Sequence, residues 1–552
     1  MFVRVKKSGR YEYLQIVHNR RVGDSVRQHT LATLGRLDVL QATGQLDAVV
    51  ASLAKYTLHT AALSAAEREQ KPADSKRVGP VLIFERLWEE LGIGTILGRL
   101  LDGRHFEFSV ERTVFVTVLH RLFVSGSDRA AEVWCRRYAI AGIAGLELHH
   151  FYRAMAWLGE ALPDSEQAGA TPFSPRCVKD LVEEELFARR RDLFTDLEMV
   201  FFDTTSLYFE GQGGESIGKQ GKSKDFRPDL PQMVVGMVLD SEGRPLCCEL
   251  WPGNTADVTT LVPVVKRLRR RFGVLRACIV ADRGMISAET IGKLQSAAID
   301  CRFILGARMR RVKEVNKVVL ARAGAYHVVH GDRHDSLDPS PLKVKEVWVE
   351  DRRYIVCHNE EQAAKDRADR KAIVASLEQA LRRGDKSLVG NKGYRRYLKS
   401  AGPDHFQIDE AKLRAEARYD GKWVLRTDTD LTASDVALKY KQLWMVETVF
   451  RELKSILETR PIYHHHDTTI RGHVFCSFLS VVLLKELKDR LVTHGAGDVE
   501  WNRLKGDLDD VERFTLPCSG KRFEVRTDLV GDAGTAFRAV GVSPGPVLRQ
   551  LS

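Results

Sequence analysis

From about residue 197 the chain alternates short branched and aromatic runs with segments of helical periodicity. "LEMVFFDTTSLYFE" reads as a strand ending in a polar loop, and "QMVVGMVLDSEGRPLCCELWPG" as two strands joined at Ser241-Glu242-Gly243-Arg244, a hairpin signal. "VTTLVPVVKRLRRRFG" has helical spacing, a stop at Gly273 and a cap near Thr255 or Asp257. "RACIVADRG" is a short buried strand and a turn, "SAETIGKLQSAAI" a helix with Ser287 as N-cap, and "CRFILGAR" a fifth strand. The order over 196–311 is therefore β-β-β-α-β-α-β.

An antiparallel three-strand meander followed by two crossover units is the ribonuclease-H-like arrangement, because crossovers need a helix and keep one hand. The fold class predicted is thus α/β, a ribonuclease-H-like core inside an α+β multidomain chain. After Arg311 the alternation breaks. Residues 312–428 hold candidate strands in "AYHVVHG", "KVKEVWVE", "RRYIVCHN" and "GKWVLRTD", with a polar helix from about 361 to 382, and read as a mainly β insertion. Residues 429–490 return to helices, among them the buried "GHVFCSFLSVVLLKELKDRL", and complete the core. Upstream, 1–75 reads as a small unit of two strands, "MFVRVKK" and "YEYLQIVHN", then a polar helical stretch from 38. Residues 76–195 are helix-rich, and 491–552 form a basic, loop-rich tail with some helix.

A chain of 552 residues exceeds one hydrophobic core, so three or more folded units are expected. With 44% apolar and 29% charged residues it has the composition of a soluble globular protein. A net charge of +11 and a sequence pI near 9.1 favour a polyanionic partner, nucleic acid first, over a generally basic surface with no specific ligand. The first residues, "MFVRVKKSGRYEY", lack the apolar segment of a secretory signal, and the longest apolar run, "VFCSFLSVVLL", is too short to span a bilayer. Nine scattered cysteines without a CxxC pair suggest neither a zinc site nor a disulfide framework. A reducing cytoplasm is the expected location.

Two acidic residues stand at the ends of apolar strands: Asp203 closes "MVFFD" and Asp282 closes "CIVAD". A lone aspartate there is ordinarily a turn or cap residue. These two, however, belong to the first and fourth strands, adjacent in the expected sheet, where strand ends form sites. A third carboxylate, Glu447, lies in "YKQLWMVETVFRELKS", expected to be one amphipathic helix from Tyr440 to Ser455. Its buried stripe is Leu443, Val446, Val449, Phe450 and Leu453. Beside it Tyr440, Glu447 and Lys454 fall within roughly 40° of one another at about 100° per residue. Three converging carboxylates repel unless cations neutralise them. Hard oxygen ligands favour Mg²⁺ or Mn²⁺, and two such ions about 3.5–4 Å apart serve an in-line phosphodiester displacement.

"FFDTTSLYFEG", "GKSKDFRPDLPQMVVGMVLD", "GNTADVTTL", "VADRGMIS" and "YDGKWVLRTDTD", followed by "YKQLWMVETVFRELKS", resemble in this order the blocks of bacterial insertion-sequence DDE transposases. The group they resemble has a YREK signature on its Glu helix and a catalytic core split by a β insertion. The resemblance runs from about 197 to 480 and is weaker upstream. It implies Asp203, Asp282 and Glu447 as the metal-binding catalytic triad. It also implies metal-dependent cleavage at element ends, 3′-OH strand transfer into target DNA, terminal inverted repeats as partner, and at least a dimer on DNA. The signature spacing falls on Tyr440, Leu443, Glu447 and Lys454. Leu443 thus replaces the arginine of the signature, which removes a phosphate clamp and leaves Tyr440 and Lys454 as phosphate contacts. Two further readings are a ribonuclease-H-fold nuclease without strand transfer and a non-catalytic DNA-binding protein.

In "GKQGKSKDFRPDL", Lys222, Lys224 and Arg227 are expected on the DNA backbone, against the alternative of a solvated loop. Arg283 is expected to contact phosphate or pair with a triad carboxylate. "KRLRRRFG" and "RMRR" read as basic faces, and Trp348 and Trp423 as core residues in preference to base-stacking ones. "YHHHDTTIRGH" offers no zinc site by local spacing, since three consecutive histidines cannot share a helical face and no HExxH is present. End recognition is assigned to 1–195, chiefly the helical 76–195.

Overall fold

Nine strands form one sheet in the larger of two units, which comprises Phe84–Arg136 and Ile140–Gly497. The structure, a computed structural model, describes residues 1–22, 25–54, 74–168, 170–171, 174–190, 199–274, 278–333, 338–383, 397–402, 405–518 and 521–551. The strands are β1 (Met199–Tyr208), β2 (Gln232–Leu239), β3 (Pro245–Pro252), β4 (Cys278–Ala281), β5 (Phe303–Gly306), β6 (His327–His330), β7 (Leu342–Val349), β8 (Arg352–His358) and β9 (Lys422–Thr427). Their order across the sheet is β6-β7-β8-β9-β5-β4-β1-β2-β3. β1 pairs antiparallel with β2 and parallel with β4, and β4 runs parallel with β5. The crossovers are helices α1 (Asp257–Phe272) and α2 (Ala288–Leu294). The part β3-β2-β1-β4-β5 is the ribonuclease-H-like order.

Local chemistry explains these elements. At the β2–β3 hairpin Gly243 takes a left-handed φ of +77°, and the Asp240 carboxylate accepts the backbone N–H groups of Glu242 and Arg244. Ser287 caps α2 by accepting the N–H of Thr290 at 3.0 Å. One sheet face buries Val200, Phe202 and Val238 against Leu261, Val264 and Leu268 of α1. The other buries Leu207, Met233 and Val235 against Ile470 and Val474 of the long helix Asp467–Thr493. That helix packs closely on Leu148–Leu158: a Cβ at Gly472 would stand 1.9 Å from the carbonyl oxygen of Met155, so only glycine fits.

Several expectations change. β9 pairs antiparallel with β5, so β6 to β9 of the insertion continue the core sheet, while Leu398–Gly402 and His405–Ile408 pair in a two-stranded sheet of their own. The same segment also carries the helices Glu360–Arg383 and Glu410–Ala417. Asp203 does not close its strand, because β1 continues to Tyr208 on its β2 side. Finally, "KRLRRRFG" is not simply a basic face, since Arg267 and Arg271 point inward.

Arg271 lies 3.1 Å from Asp180, 2.5 Å from Glu183, 2.8 Å from Glu184 and 3.3 Å from Glu249 of β3, while Arg267 also pairs with Glu249. Lys179 completes the group, 2.8 Å from Asp180 and donating to the Cys248 carbonyl. This buried ion group ties helix Val178–Arg190 to α1 and β3.

The smaller unit comprises Met1–Ile83, Arg137–Ala139 and Asp498–Ser552. Phe2–Ser8, Tyr11–Val22 and Ser25–Arg36 make an antiparallel three-stranded sheet, one strand more than the sequence pattern indicates. The third strand is mostly exposed and polar and so lacks an alternating apolar signal. The helical stretch expected from 38 contains Leu37–Ala42 and Gln45–Ala54, and its remainder falls largely outside the described residues. The expected loop-rich tail is instead a folded body. Lys76–Arg77, Glu512–Cys518, Lys521–Arg526 and Leu548–Leu551 form a four-stranded sheet around Leu516, Phe523 and Val525. Arg77 and Tyr138 both hydrogen-bond the Asp509 carboxylate, at 2.9 and 2.6 Å.

Removing one partner of a buried ion group leaves the others uncompensated. Arg271→Met is therefore expected to cost about 3–5 kcal/mol in chemical denaturation, whereas Lys293→Ala, which breaks the exposed pair with Glu289, leaves the denaturation midpoint essentially unchanged.

Candidate catalytic site

The parallel register pairs Phe202 with Ala281, so the residues that follow, Asp203 within β1 and Asp282 just past β4, are neighbours. A third carboxylate arrives from α1. Asp257, its first residue, accepts a hydrogen bond from Thr204 Oγ1 at 2.8 Å. Lys224 lies between these groups: its Nζ donates to the Thr204 carbonyl at 2.6 Å and stands 3.5 Å from Asp257. Its backbone N–H is tied to Ser206 Oγ at 2.7 Å. Burial raises the pKa of Asp203 to about 6, against the pull of Lys224 and the N–H of Thr204, with Asp282 and Asp257 raising it further.

Asp282 is held from the other side. The Tyr440 hydroxyl donates to its Oδ1 at 2.9 Å, and burial together with that carboxylate pushes the phenol pKa up. The approach depends on Gly306 at the end of β5, where a Cβ would stand 2.4 Å from the Tyr440 oxygen and 3.0 Å from the Arg283 nitrogen. Arg308 donates to the carbonyls of Arg283 and Gly284 at 2.9 and 2.7 Å and so shapes the turn after Asp282. The resulting open cleft of about 450 Å³ is lined by Lys222, Lys224, Asp257, Asp282, Arg283 and Arg308, among others. "RMRR" is thus partly a wall of this cleft as well as a basic face.

Glu447 is placed differently. The helix expected over 440–455 is interrupted: α3 (Ala433–Lys441) ends, α4 (Trp444–Arg451) follows, and a π-helical turn covers Glu452–Ile456. The joint is tightened by three-residue hydrogen bonds from Met445 to Gln442 and from Val446 to Leu443, so the line drawn at uniform helical rotation does not persist. Tyr440 reaches Asp282, while Lys454 bonds Asp225 at 2.8 Å, a carboxylate that also pairs with Arg460 at 3.0 Å. α4 packs on β1 and β2, and Glu447 is exposed on it. The oxygens of Asp203, Asp282 and Glu447 do not all lie within 4.8 Å of one another. Among the described residues only Glu107–His149–His150 and Asp128–His464–His473 converge so closely. Leu443, at the signature's arginine position, is buried. Arg227 is exposed and paired with Asp229 at 2.8 Å.

Two further sequence readings are corrected. The histidine stretch does gather ligand-type atoms, with His464 Nε2 3.1 Å from His473 Nδ1 and 3.5 Å from Asp128. Local spacing could not show this, because Asp128 comes from a distant helix. The Arg121 guanidinium, however, sits 2.9 Å from His473 Nδ1, and a fixed positive charge there opposes a metal cation. Trp348 is 52% exposed instead of packed in the core, and Trp423 is half-buried.

Residues 195–480 match the transposase DDE domain, and residues 3–62 match the N-terminal domain of IS1634 family transposases. The chain belongs to the DDE transposase family. It is a DNA transposase, and domains of this family use divalent metal ions. The oxygen donors of Asp203, Asp257 and Asp282, with one lysine ammonium offsetting their charge, fit such hard cations. The transposase is also similar in structure to a piggyBac transposase in its cryo-EM synaptic complex with hairpin DNA, at 10% identity over 78% of this chain and 79% of that chain, with a TM-score of 0.40. No curated protein matches the transposase in sequence. No helix among the described residues is long and apolar enough to cross a membrane.

The raised pKa of Asp203 has a readable sign. For the metal-free transposase its contribution to stability, on the order of 3 kcal/mol, is fully present below about pH 4 and lost as pH rises through about 6. Thermal denaturation across pH 4–7 is expected to show this slope and Asp203→Asn to remove it. Lys224→Ala should move the carboxyl resonance of Asp203 to a higher titration midpoint and Asp257→Asn to a lower one.

Proposed function

We propose that the transposase cuts phosphodiester bonds at the ends of its insertion element and joins the freed 3′ hydroxyl to target DNA, with Asp203, Asp282 and Glu447 holding two Mg²⁺ or Mn²⁺ ions. The observation that carries this is the parallel β1–β4 register, which sets Asp203 and Asp282 next to each other in a chain that matches the DDE domain. Divalent ions, when bound there, activate the attacking oxygen and stabilise the leaving one. Asp203 and Asp282 offer oxygen ligands from adjacent strands. Tyr440 occupies one oxygen of Asp282 and so aims the other into the cleft. Glu447 joins them by movement of α4 on DNA, which the break at Gln442–Leu443 permits.

Lys222, Lys224 and Arg283 line the cleft and take the phosphates on either side of the scissile bond, with Arg227 further along the same loop. Tyr440 reaches phosphate once Asp282 has turned to metal, and Lys454 once Asp225 is left to Arg460. The partners are the element's terminal inverted repeats and target DNA, bound by at least two copies of the chain, in the bacterial cytoplasm at the nucleoid. A second reading of the ligand set is favoured by one contact pattern. Asp257 shares Thr204 and Lys224 with Asp203 and lines the cleft with Asp282, which makes it the third carboxylate if Glu447 stays out.

Supercoiled plasmid carrying the element's ends, incubated with Mg²⁺, tests both readings. Asp203→Asn, Asp282→Asn and Glu447→Gln are each expected to lower end cleavage by about a hundredfold or more. Tyr440→Phe, which removes one hydrogen bond, lowers it about fivefold. Full cleavage by Asp282→Ala would overturn the proposal, and full cleavage by Glu447→Gln with loss in Asp257→Asn would select the second ligand set.

A further inference from the structure

In the N-terminal sheet the second and third strands run on together past the end of the first. Phe2 of the first strand faces Val17, and beyond that point Tyr11–Val22 and Ser25–Arg36 continue as a two-stranded ribbon. His18 stands opposite His29, Asn19 opposite Gln28 and Arg20 opposite Arg27. All six are exposed, so this stretch buries no apolar face and adds nothing to a core.

Opposite residues of an antiparallel pair share a face, and faces alternate along a strand. His18, His29, Arg20 and Arg27 therefore occupy one face of the ribbon, and Asn19, Gln28 and Arg21 the other. The second face leans back on the first strand, where Gln28 Oε1 accepts from Arg4 at 2.7 Å. The first face sets two guanidinium groups directly across from each other, an arrangement that repels. Among the described residues no carboxylate pairs with Arg20, Arg21 or Arg27. The helical region 76–195 is different, since Arg86, Arg99, Arg104, Arg112, Arg136 and Arg153 each pair with a glutamate. Charge is concentrated in the sheet as well: residues 1–36 hold eight lysines and arginines against two acids, an excess of six in a chain of net charge +11.

An uncountered pair of cations on a projecting ribbon is relieved by a polyanion. The major groove of B-DNA, about 12 Å wide, admits a two-stranded ribbon, and arginine takes the O6 and N7 of guanine there in two hydrogen bonds. We propose that this ribbon enters the major groove of the element's terminal repeat, with Arg20 and Arg27 each reading a guanine and Arg21 on the phosphates of the groove wall. Opposite Cα atoms lie about 5 Å apart, which suits guanines one or two base steps apart. The proposal rests on the transposase reading above and moves end recognition from the helices of 76–195 to the N-terminal sheet. Arg20 and Arg27 are then the residues that distinguish the element's own end from other DNA.

The test measures binding of the whole chain to a duplex of the element's own end and to a scrambled duplex of equal composition, by fluorescence anisotropy in Ca²⁺. Arg20→Ala and Arg27→Ala should each weaken binding to the end about five- to a hundredfold and to the scrambled duplex only about twofold. The double variant should bind both duplexes alike. 7-Deazaguanine in the end removes N7 from the major groove, so it should weaken the unsubstituted protein and leave the double variant unchanged. Inosine, which removes the minor-groove amino group of guanine, should affect neither protein. The variants should keep or raise the melting temperature, because an exposed like-charged pair is gone, and the modified bases test the unsubstituted protein independently of its folding. A double variant that keeps its preference for the end overturns the proposal, and so does undiminished binding to the 7-deazaguanine end. An unsubstituted protein that shows no preference yet nicks the end in Mg²⁺ also overturns it and leaves the transposase reading standing. No preference and no nicking overturns both.

Discussion

The parallel pairing of β1 with β4 is the constraint from which the rest of the site follows. It lasts four residues, from Met199 opposite Cys278 to Phe202 opposite Ala281. Beyond that the strands part: β1 continues beside β2, while the chain turns away at Asp282. A cleft opens where strands diverge, and the two aspartates are the first residues past the last pair. Thr204 brings in Asp257, Lys224 locks onto Thr204, and Tyr440 reaches Asp282 over Gly306. Each contact starts within one or two residues of that divergence.

The electrostatics of the site are those of a cation receptor held in check by the protein's own charges. Burial and neighbouring carboxylates oppose ionisation of Asp203, and Lys224 and the Thr204 N–H favour it. Lys454, which the sequence sets beside Glu447, is instead committed with Arg460 to Asp225. The loop bearing Lys222, Lys224 and Arg227 is therefore fastened to the core by ion pairs, at Asp225 and at Asp257. Such pairs are broken by competing phosphates and cations more readily than an apolar contact would be, which suits the exchange of partners on DNA proposed for this loop.

Much of this is legible in the sequence alone. The meander, both crossover helices, the turn at Gly243, the cap at Ser287 and the neighbouring positions of Asp203 and Asp282 all follow from local patterns, because each depends on short-range chemistry and a narrow set of allowed connections. What was hidden depends on distant partners. Nothing in "GKWVLRTD" says that it pairs with the edge of β5, and nothing in "KRLRRRFG" shows carboxylates waiting for Arg267 and Arg271 inside. Asp257 looks like an ordinary acidic residue in a helix's first turn until Thr204 and Lys224 are seen around it. The helix break at Gln442–Leu443 escapes periodicity because buried positions continue across it, with Leu443 and Val446 both inside.

The central claim is that Asp203 and Asp282 share divalent cations and that Glu447 is gathered to them on DNA. Anomalous scattering from Mn²⁺ in crystals of the transposase bound to its element end locates those cations directly. The result expected is manganese between the carboxylates of Asp203 and Asp282, with Glu447 drawn into its coordination shell. Manganese bound elsewhere, or bound at the two aspartates with Glu447 still out on the surface of α4, would contradict the account.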